Sequence, residues 1–230
     1  MNRTVAIVQA RIGSSRLPGK TLLHLRGHAI IDWILVRLSR CLRLDGIVLA
    51  IPEGFPDDLL AERAPPGIQI VRGPESDVVG RFALAAEASS ATTIVRICAD
   101  NPLVCPELVD QLVDGFLQSG ADYGWNHVPR GNRFPDGLGA EICTRGILDG
   151  IHRDATAPGE REHLFNRIIS RPEGIRFFTY DPLDPELAKP HLKLDVDTWE
   201  DYARLSRLEL DIDSTAVQIV RTAEGDAPCA

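Results

Sequence analysis

Apolar residues in this chain come in two spacings. Short, near-continuous runs such as Thr4–Ala10 and Gly46–Ile51 predict strands buried on both faces. Longer stretches with apolar positions every three or four residues predict amphipathic helices. In Ala29–Leu42 the stripe is Ile30, Ile31, Ile34, Leu35, Leu38 and Leu42. Asp32 lies in its first turn and Arg37, Arg40 and Arg43 lie towards its end, as the helix dipole favours. Further strands are expected at Ile68–Arg72, Thr92–Cys98 and Ala121–Trp125. Helices are expected at Asp57–Arg63, at Asp77–Ala88 with Asp77 or Ser76 as cap, and at Pro106–Gln118, which opens on proline. Strands and helices thus alternate through the first 125 residues. That order predicts an α/β fold of three layers, helices covering both faces of a mostly parallel sheet.

The second part is less regular. Strands are expected near Ala140–Cys143, at Ile175–Tyr180 and at His191–Val196, where Leu192 and Leu194 alternate with Lys193 and Asp195. Glu160–Ser170 predicts one helix with a stripe of Leu164, Phe165, Ile168 and Ile169. Thr198–Leu208 predicts another, with Thr198 and Asp201 as a capping box. A last helix is expected over Ser214–Ala223. No repeat or long linker divides the chain, so one domain over 1–225 is expected, with its parts meeting at about residue 125. Residues 226–230 read as a flexible tail.

No apolar run approaches the roughly 20 residues of a membrane span, and the opening MNRTVAIVQARIG is too short in apolar residues for a signal peptide. A cytoplasmic chain with no membrane partner is expected. Its cysteines, Cys41, Cys98, Cys105, Cys143 and Cys229, form no CxxC pair and read as reduced thiols. A net charge of −8 argues against nucleic acid as a partner. Against that acidic background, the clustering of Arg11, Arg16 and Lys20 stands out.

Those cations lie in VQARIGSSRLPGKTLL, Val8 to Leu23. Its Gly-Lys-Thr imitates a P-loop, but five residues separate Gly13 from Gly19 and Pro18 stands where the second glycine belongs. No α-helix is expected to start at Lys20. Three cations, Ser14, Ser15 and two glycines after a buried strand suit a polyphosphate. In a parallel sheet, ligands bind beyond the carboxyl ends of the strands. That edge receives this loop, the segment Arg72–Asp77 and the segment Cys98–Leu103. Asp100 is placed either to hold a divalent cation or to make a turn before Asn-Pro. Asp195 and Asp197 could complete a metal site, or Asp197 could serve the following helix. Asp136, Glu141, Arg161, Glu162 and His163 are candidates for gripping a polar substrate, although turn and helix-start roles also fit them. His24, His28, His127, His152 and His191 lack ligand spacing and read as structural.

These motifs resemble the cytidylyltransferases that make CMP-activated sugar acids, the KDO and acylneuraminate enzymes, and above all the spore-coat polysaccharide cytidylyltransferase-like proteins. The resemblance runs through VQARIGSSRLPGK, VRGPESDVVGRF, RICADNPLVCPELVD, FPDGLGAEIC, EREH and LDVDTWEDYARL. It implies a mixed seven-stranded sheet of the nucleotide-diphospho-sugar transferase type. It implies CTP and an anionic sugar as substrates, Mg²⁺ as cofactor, pyrophosphate as product, a homodimer and a place in surface polysaccharide or glycoconjugate synthesis. By resemblance Arg11, Arg16 and Lys20 act on the triphosphate, with Ala10, Gly13 and Ser14 in the same nucleotide loop. Arg72 and Asp77 lie near the cytidine, and Asp100 and Asp197 hold the metal. Asp136, Glu141, Arg161, Glu162 and His163 form the sugar side. The chain departs from the family pattern at Asn101 and at Gly139, where a second aspartate is usual. A glycosyltransferase using a nucleotide-sugar is the rival reading, since Asp195-Val196-Asp197 fits an Asp-x-Asp metal motif. A non-catalytic nucleotide-binding subunit is a third.

Overall fold

The computed structural model describes residues 2–226. The strands are β1 (Thr4–Gln9), β2 (His24–Leu25), β3 (His28–Ala29), β4 (Gly46–Pro52), β5 (Gln69–Gly73), β6 (Thr93–Cys98), β7 (Tyr123–Trp125), β8 (Glu141–Thr144) and β9 (Phe177–Phe178). The helices are α1 (Ile30–Leu38), α2 (Asp58–Glu62), α3 (Val78–Ala88), α4 (Pro106–Ser119), α5 (Arg145–Asp154), α6 (Pro158–Glu162), α7 (Asn166–Ser170), α8 (Trp199–Arg207) and α9 (Ala216–Gly225). Seven strands form one sheet in the order β5-β4-β1-β6-β8-β7-β9, and β2 with β3 makes a small hairpin. β1 pairs in parallel with β4 and β6, and β8 runs antiparallel to β6 and β7. The fold is the expected mostly parallel, mixed α/β sheet.

Strand alternation builds the two helical layers. Ala6 and Val8 face a core containing residues of α1, α4, α8 and α9. Val5 and Ile7 face the opposite core, with residues of α3 and α5. The central strands are apolar on both sides for this reason.

Four readings need correction. Helix α1 stops at Leu38 because Ser39 ends it, so Leu42 leaves the stripe and is 86% exposed. The segment at 191–196 keeps its alternation, Leu192, Leu194 and Val196 being buried, but makes only a bridge between Lys193 and Asp136. The helix expected at 160–170 is two short ones. The chain is extended at His163, which lets Arg161 reach Asp77 on one side and Phe165 reach the Tyr123 ring, 4.7 Å away, on the other. Helix α5 was not anticipated. The tail expected at 226–230 lies, but for Asp226, outside the described residues.

Candidate active site

β1 ends at Gln9 and releases the cationic loop at the carboxyl edge of the sheet. Internal bonds fold the loop back on itself. Ile12 N–H donates to Asp57 Oδ1 (2.8 Å), and the Ile12 carbonyl accepts from Ser14 N–H (2.9 Å) and Gly19 N–H (3.0 Å). Gly19 has φ +70°, in the left-handed region that glycine enters without strain. Its N–H therefore closes the loop, and the sequence-based role of opening backbone donors to phosphate does not hold for it. After Lys20 there is one 3₁₀ turn, Lys20–Leu22, and then the hairpin. No α-helix begins there, which excludes P-loop geometry. The loop walls a cleft of about 190 Å³ together with β1 and β6. Arg11, Ser14, Ser15, Arg16, Lys20 and Asp100 line it. Ala10 and Gly13 shape the loop: Ala10 N–H is taken by Ala50 in the sheet, and a Cβ on Gly13 would meet Glu75 Oε1 at 3.1 Å.

The two aspartates expected to share a metal are brought together from segments nearly a hundred residues apart. Lys20 Nζ lies 3.2 Å from Asp100 Oδ2 and 3.3 Å from Asp197 Oδ1, and donates to the Val196 carbonyl at 2.8 Å. Arg16 grips both oxygens of Asp197 (2.8 and 2.9 Å). The ammonium thus stands at a point common to both carboxylates. Backbone bonding fixes the meeting, since Val196 N–H donates to the Asp100 carbonyl (2.8 Å). Hard oxygen donors of this kind suit Mg²⁺, which takes one or two carboxylates and completes its shell with water and phosphate. Among the described residues no group of three His, Cys, Asp or Glu side chains forms a ready metal cage. Asp195 is buried and paired with Lys193 (3.3 Å), so it does not join Asp197 as an Asp-x-Asp ligand pair.

The remaining candidates divide. Arg72 pairs with Asp58 and reaches the Pro52 carbonyl (3.3 Å); it does not line the cleft. Asp77 caps α3 through Gly80 N–H (2.7 Å) and pairs with Arg161. Burial raises the Asp77 pKa, but bonds from Arg161 and Gly80 outweigh it and hold the carboxyl below its ordinary value. Glu162 lies 3.9 Å from Arg11, whose other guanidinium nitrogen is 3.8 Å from Glu75. Arg161 and Glu162 therefore sit beside Asp77 and Arg11 rather than with Asp136 and Glu141. His163 is exposed and opens on a separate groove with Asn166 and Arg167. Asp136 is half-buried, and burial with Asp195 nearby pushes its pKa up to about 7.

Glu141, expected to grip substrate, is 5% exposed and already committed. It binds Arg96 across the β6–β8 pair, accepts from the Tyr123 hydroxyl and lies 3.8 Å from His127 Nε2. Burial would raise its pKa, but Arg96 and His127 outweigh that and lower it. Sequence reasoning missed Arg96, Gln9 and Cys98, which line the cleft, and His127, which supports it. The signal for Arg96 was one charge inside an apolar strand. Gly139 has a local cause: an added Cβ would lie 2.1 Å from Asn126 Oδ1 and 2.4 Å from its carbonyl oxygen. Asn126 is fixed there by Ala140 N–H (2.9 Å), the Leu108 carbonyl (2.9 Å) and the Tyr180 hydroxyl (3.1 Å).

Comparison with known proteins agrees with this edge of the sheet. A family model described as cytidylyltransferase matches residues 5–133, which include the cationic loop and Asp100. The spore coat polysaccharide biosynthesis protein SpsF of Bacillus subtilis is 32% identical over 215 residues, 90% of this chain and 87% of that one. A cytidylyltransferase from Leptospira borgpetersenii superposes with a TM-score of 0.88 at 28% identity, over 98% of this chain and 95% of that one. CMP:2-keto-3-deoxy-manno-octonic acid synthetase, complexed with CTP, shares the fold alone: TM-score 0.64 at 17% identity, over 90% of this chain and 98% of that one. With more than half of its length matched by the family model, the chain belongs to the cytidylyltransferase family and is a CTP-dependent nucleotidyltransferase.

Proposed function

We propose that this enzyme transfers CMP from CTP to an anionic sugar, with Mg²⁺ at Asp100 and Asp197, as a homodimer serving surface polysaccharide or glycoconjugate synthesis. The observation that carries the reading is the convergence of both carboxylates on Lys20 Nζ, beside a loop that also presents Arg11 and Arg16. The Lys20 ammonium stands in for a cation there. The similarity to SpsF, a spore coat polysaccharide biosynthesis protein, supports the pathway class. The acceptor's hydroxyl oxygen attacks the α-phosphorus in line and loses its proton to solvent, and the bond to the pyrophosphate oxygen breaks. Such transfer needs positioning and charge neutralisation more than covalent catalysis. Mg²⁺ would supply neutralisation of the phosphate charge at the two aspartates. Arg11, Arg16 and Lys20 bind the triphosphate and stabilise the departing pyrophosphate.

A pyrophosphate-release assay over CTP, UTP, ATP and GTP, crossed with a panel of sugar acids and neutral sugars, tests this. CTP with a sugar acid is the expected productive pair. Preference for ATP or GTP would overturn the nucleotide assignment. Sedimentation of the purified chain checks the dimer.

A further inference from the structure

Three buried polar atoms on side chains lining the cleft have no partner: Gln9 Oε1, Thr21 Oγ1 and Arg96 Nε. A buried polar atom left unmet costs about 1–3 kcal/mol, so such a floor fits a polar ligand better than bulk apolar contact. Arg96 is the only charged one of the three. Alternation along β6 turns Arg96, Cys98 and Asp100 into the same cleft. Arg96 lies furthest from the cationic loop along that strand, and its partner across the sheet is Glu141 of β8.

The fixation of Arg96 differs from that of the loop cations. Its Nη1 is held by Glu141, which is held in turn by Tyr123. Arg130 stacks over Trp125 at 4.3 Å and donates to the Tyr123 hydroxyl at 3.2 Å. Burial keeps the His127 imidazole pKa below its ordinary value, so it adds no charge at neutral pH. Arg96 meets the carboxylate directly, and Arg130 adds a second guanidinium to the cluster through the Tyr123 hydroxyl. Arg96 is a preorganised cation with an unmet donor, a few residues along the strand from Asp100.

Building on the proposed transfer to an anionic sugar, we infer that Arg96 receives the acceptor's carboxylate and that Glu141 is the positioning residue that holds it. A guanidinium whose Nη1 is committed to Glu141 and whose buried Nε has no partner has donor capacity left for a carboxylate. The acceptor then lies between Arg96 and the metal-side Asp100.

The test uses the full chain and two probes, 3-deoxy-manno-octulosonate and N-acetylneuraminate, each as the acid and as its neutral carboxamide. Acid and amide are compared by pyrophosphate release and by calorimetry on the CTP-loaded enzyme. The wild type is expected to favour an acid by about 30-fold in kcat/KM, the scale of one charged hydrogen-bonding pair. Arg96→Gln should bring that ratio within about threefold, through KM for the acid, while CTP binds as before; Arg96→Lys should restore part of it. Arg96→Gln strands the Glu141 charge, so Arg96→Gln/Glu141→Gln is measured beside it, with a melting curve to show folding. An unchanged acid-to-amide ratio in the folded double variant overturns the inference. So does a CTP-loaded wild type that binds neither acid. CTP failing to bind the wild type overturns the transfer reading itself.

Discussion

Arg16 and Asp197 form a two-bonded ion pair at the mouth of the cleft, where the arginine is 64% exposed. Arg96 and Glu141 form another across two central strands, where the glutamate is 6% exposed. The first pair can exchange its partner for water, phosphate or metal at little cost, because solvent screens the exposed guanidinium. The second cannot, because each charge depends on the other for its solvation. One half of the site holds charges ready to be redistributed when substrate arrives. The other holds charges in a fixed frame. Equivalent-looking substitutions should therefore act on binding alone in the first half and on folding as well in the second.

The strongest test of that division is the carboxylate pair. Asp100→Asn and Asp197→Asn should each lower kcat by about a thousandfold or more, in the range seen when a principal electrostatic group is removed. Their melting temperatures should stay near wild type, since Lys20 keeps two of its three oxygen partners in either variant. A large drop in melting temperature would move these residues into the fixed frame. Next is Glu141→Gln, which leaves Arg96 with a neutral partner in a buried setting. A loss of about 3–5 kcal/mol in urea unfolding is expected, with much of it regained when Arg96 is neutralised too. Arg16→Ala and Lys20→Ala should weaken CTP more than CMP by about 1.5–3 kcal/mol each, measured by calorimetry. Equal losses for both nucleotides would show that these cations serve the carboxylates only.

The smallest effect concerns Asp136. Its folded pKa is raised to about 7 by burial, Asp195 adding to the effect, so the native state binds this proton more tightly than the unfolded chain does. Stability from this group is therefore lost as pH rises from the ordinary carboxyl range through 7. Asp136→Asn should raise the melting temperature at pH 8 in metal-free buffer, and the gain should vanish as pH approaches 4. A gain independent of pH would mean packing, not charge.

The rearranged-charge half was legible in the sequence and the fixed half was not. Arg11, Arg16, Lys20 and Asp100 sit in loops following strands, and a parallel sheet sends such loops to one edge. Their convergence could be read from composition and order alone. The capping pair Thr198 and Asp201 was equally local, and its bonds form as expected. Glu141 looked like a substrate ligand because an acid after a turn is usually exposed. What buries it is an antiparallel pairing of β8 with β6, and a strand's direction cannot be read from apolar alternation. Arg161 and Glu162 failed for a related reason, since the break at His163 sends them towards Asp77 and Arg11. Helix α5 was hidden by Gly146 and Gly150 within a mostly polar stretch.

The contact between Gly139 and Asn126 bears on redesign. Position 139 looks like an open invitation to graft the aspartate expected there by resemblance and so test acceptor choice. Here the asparagine fills that space and ties three separate segments together, so residues 126 and 139 form a matched couple. An aspartate introduced alone would be expelled towards the backbone of its neighbour. A graft would have to move the backbone of residue 126 as well as shrink its side chain, and find new partners for Leu108, Ala140 and Tyr180. The glycine at 139 is thus held in place by its packing against residue 126.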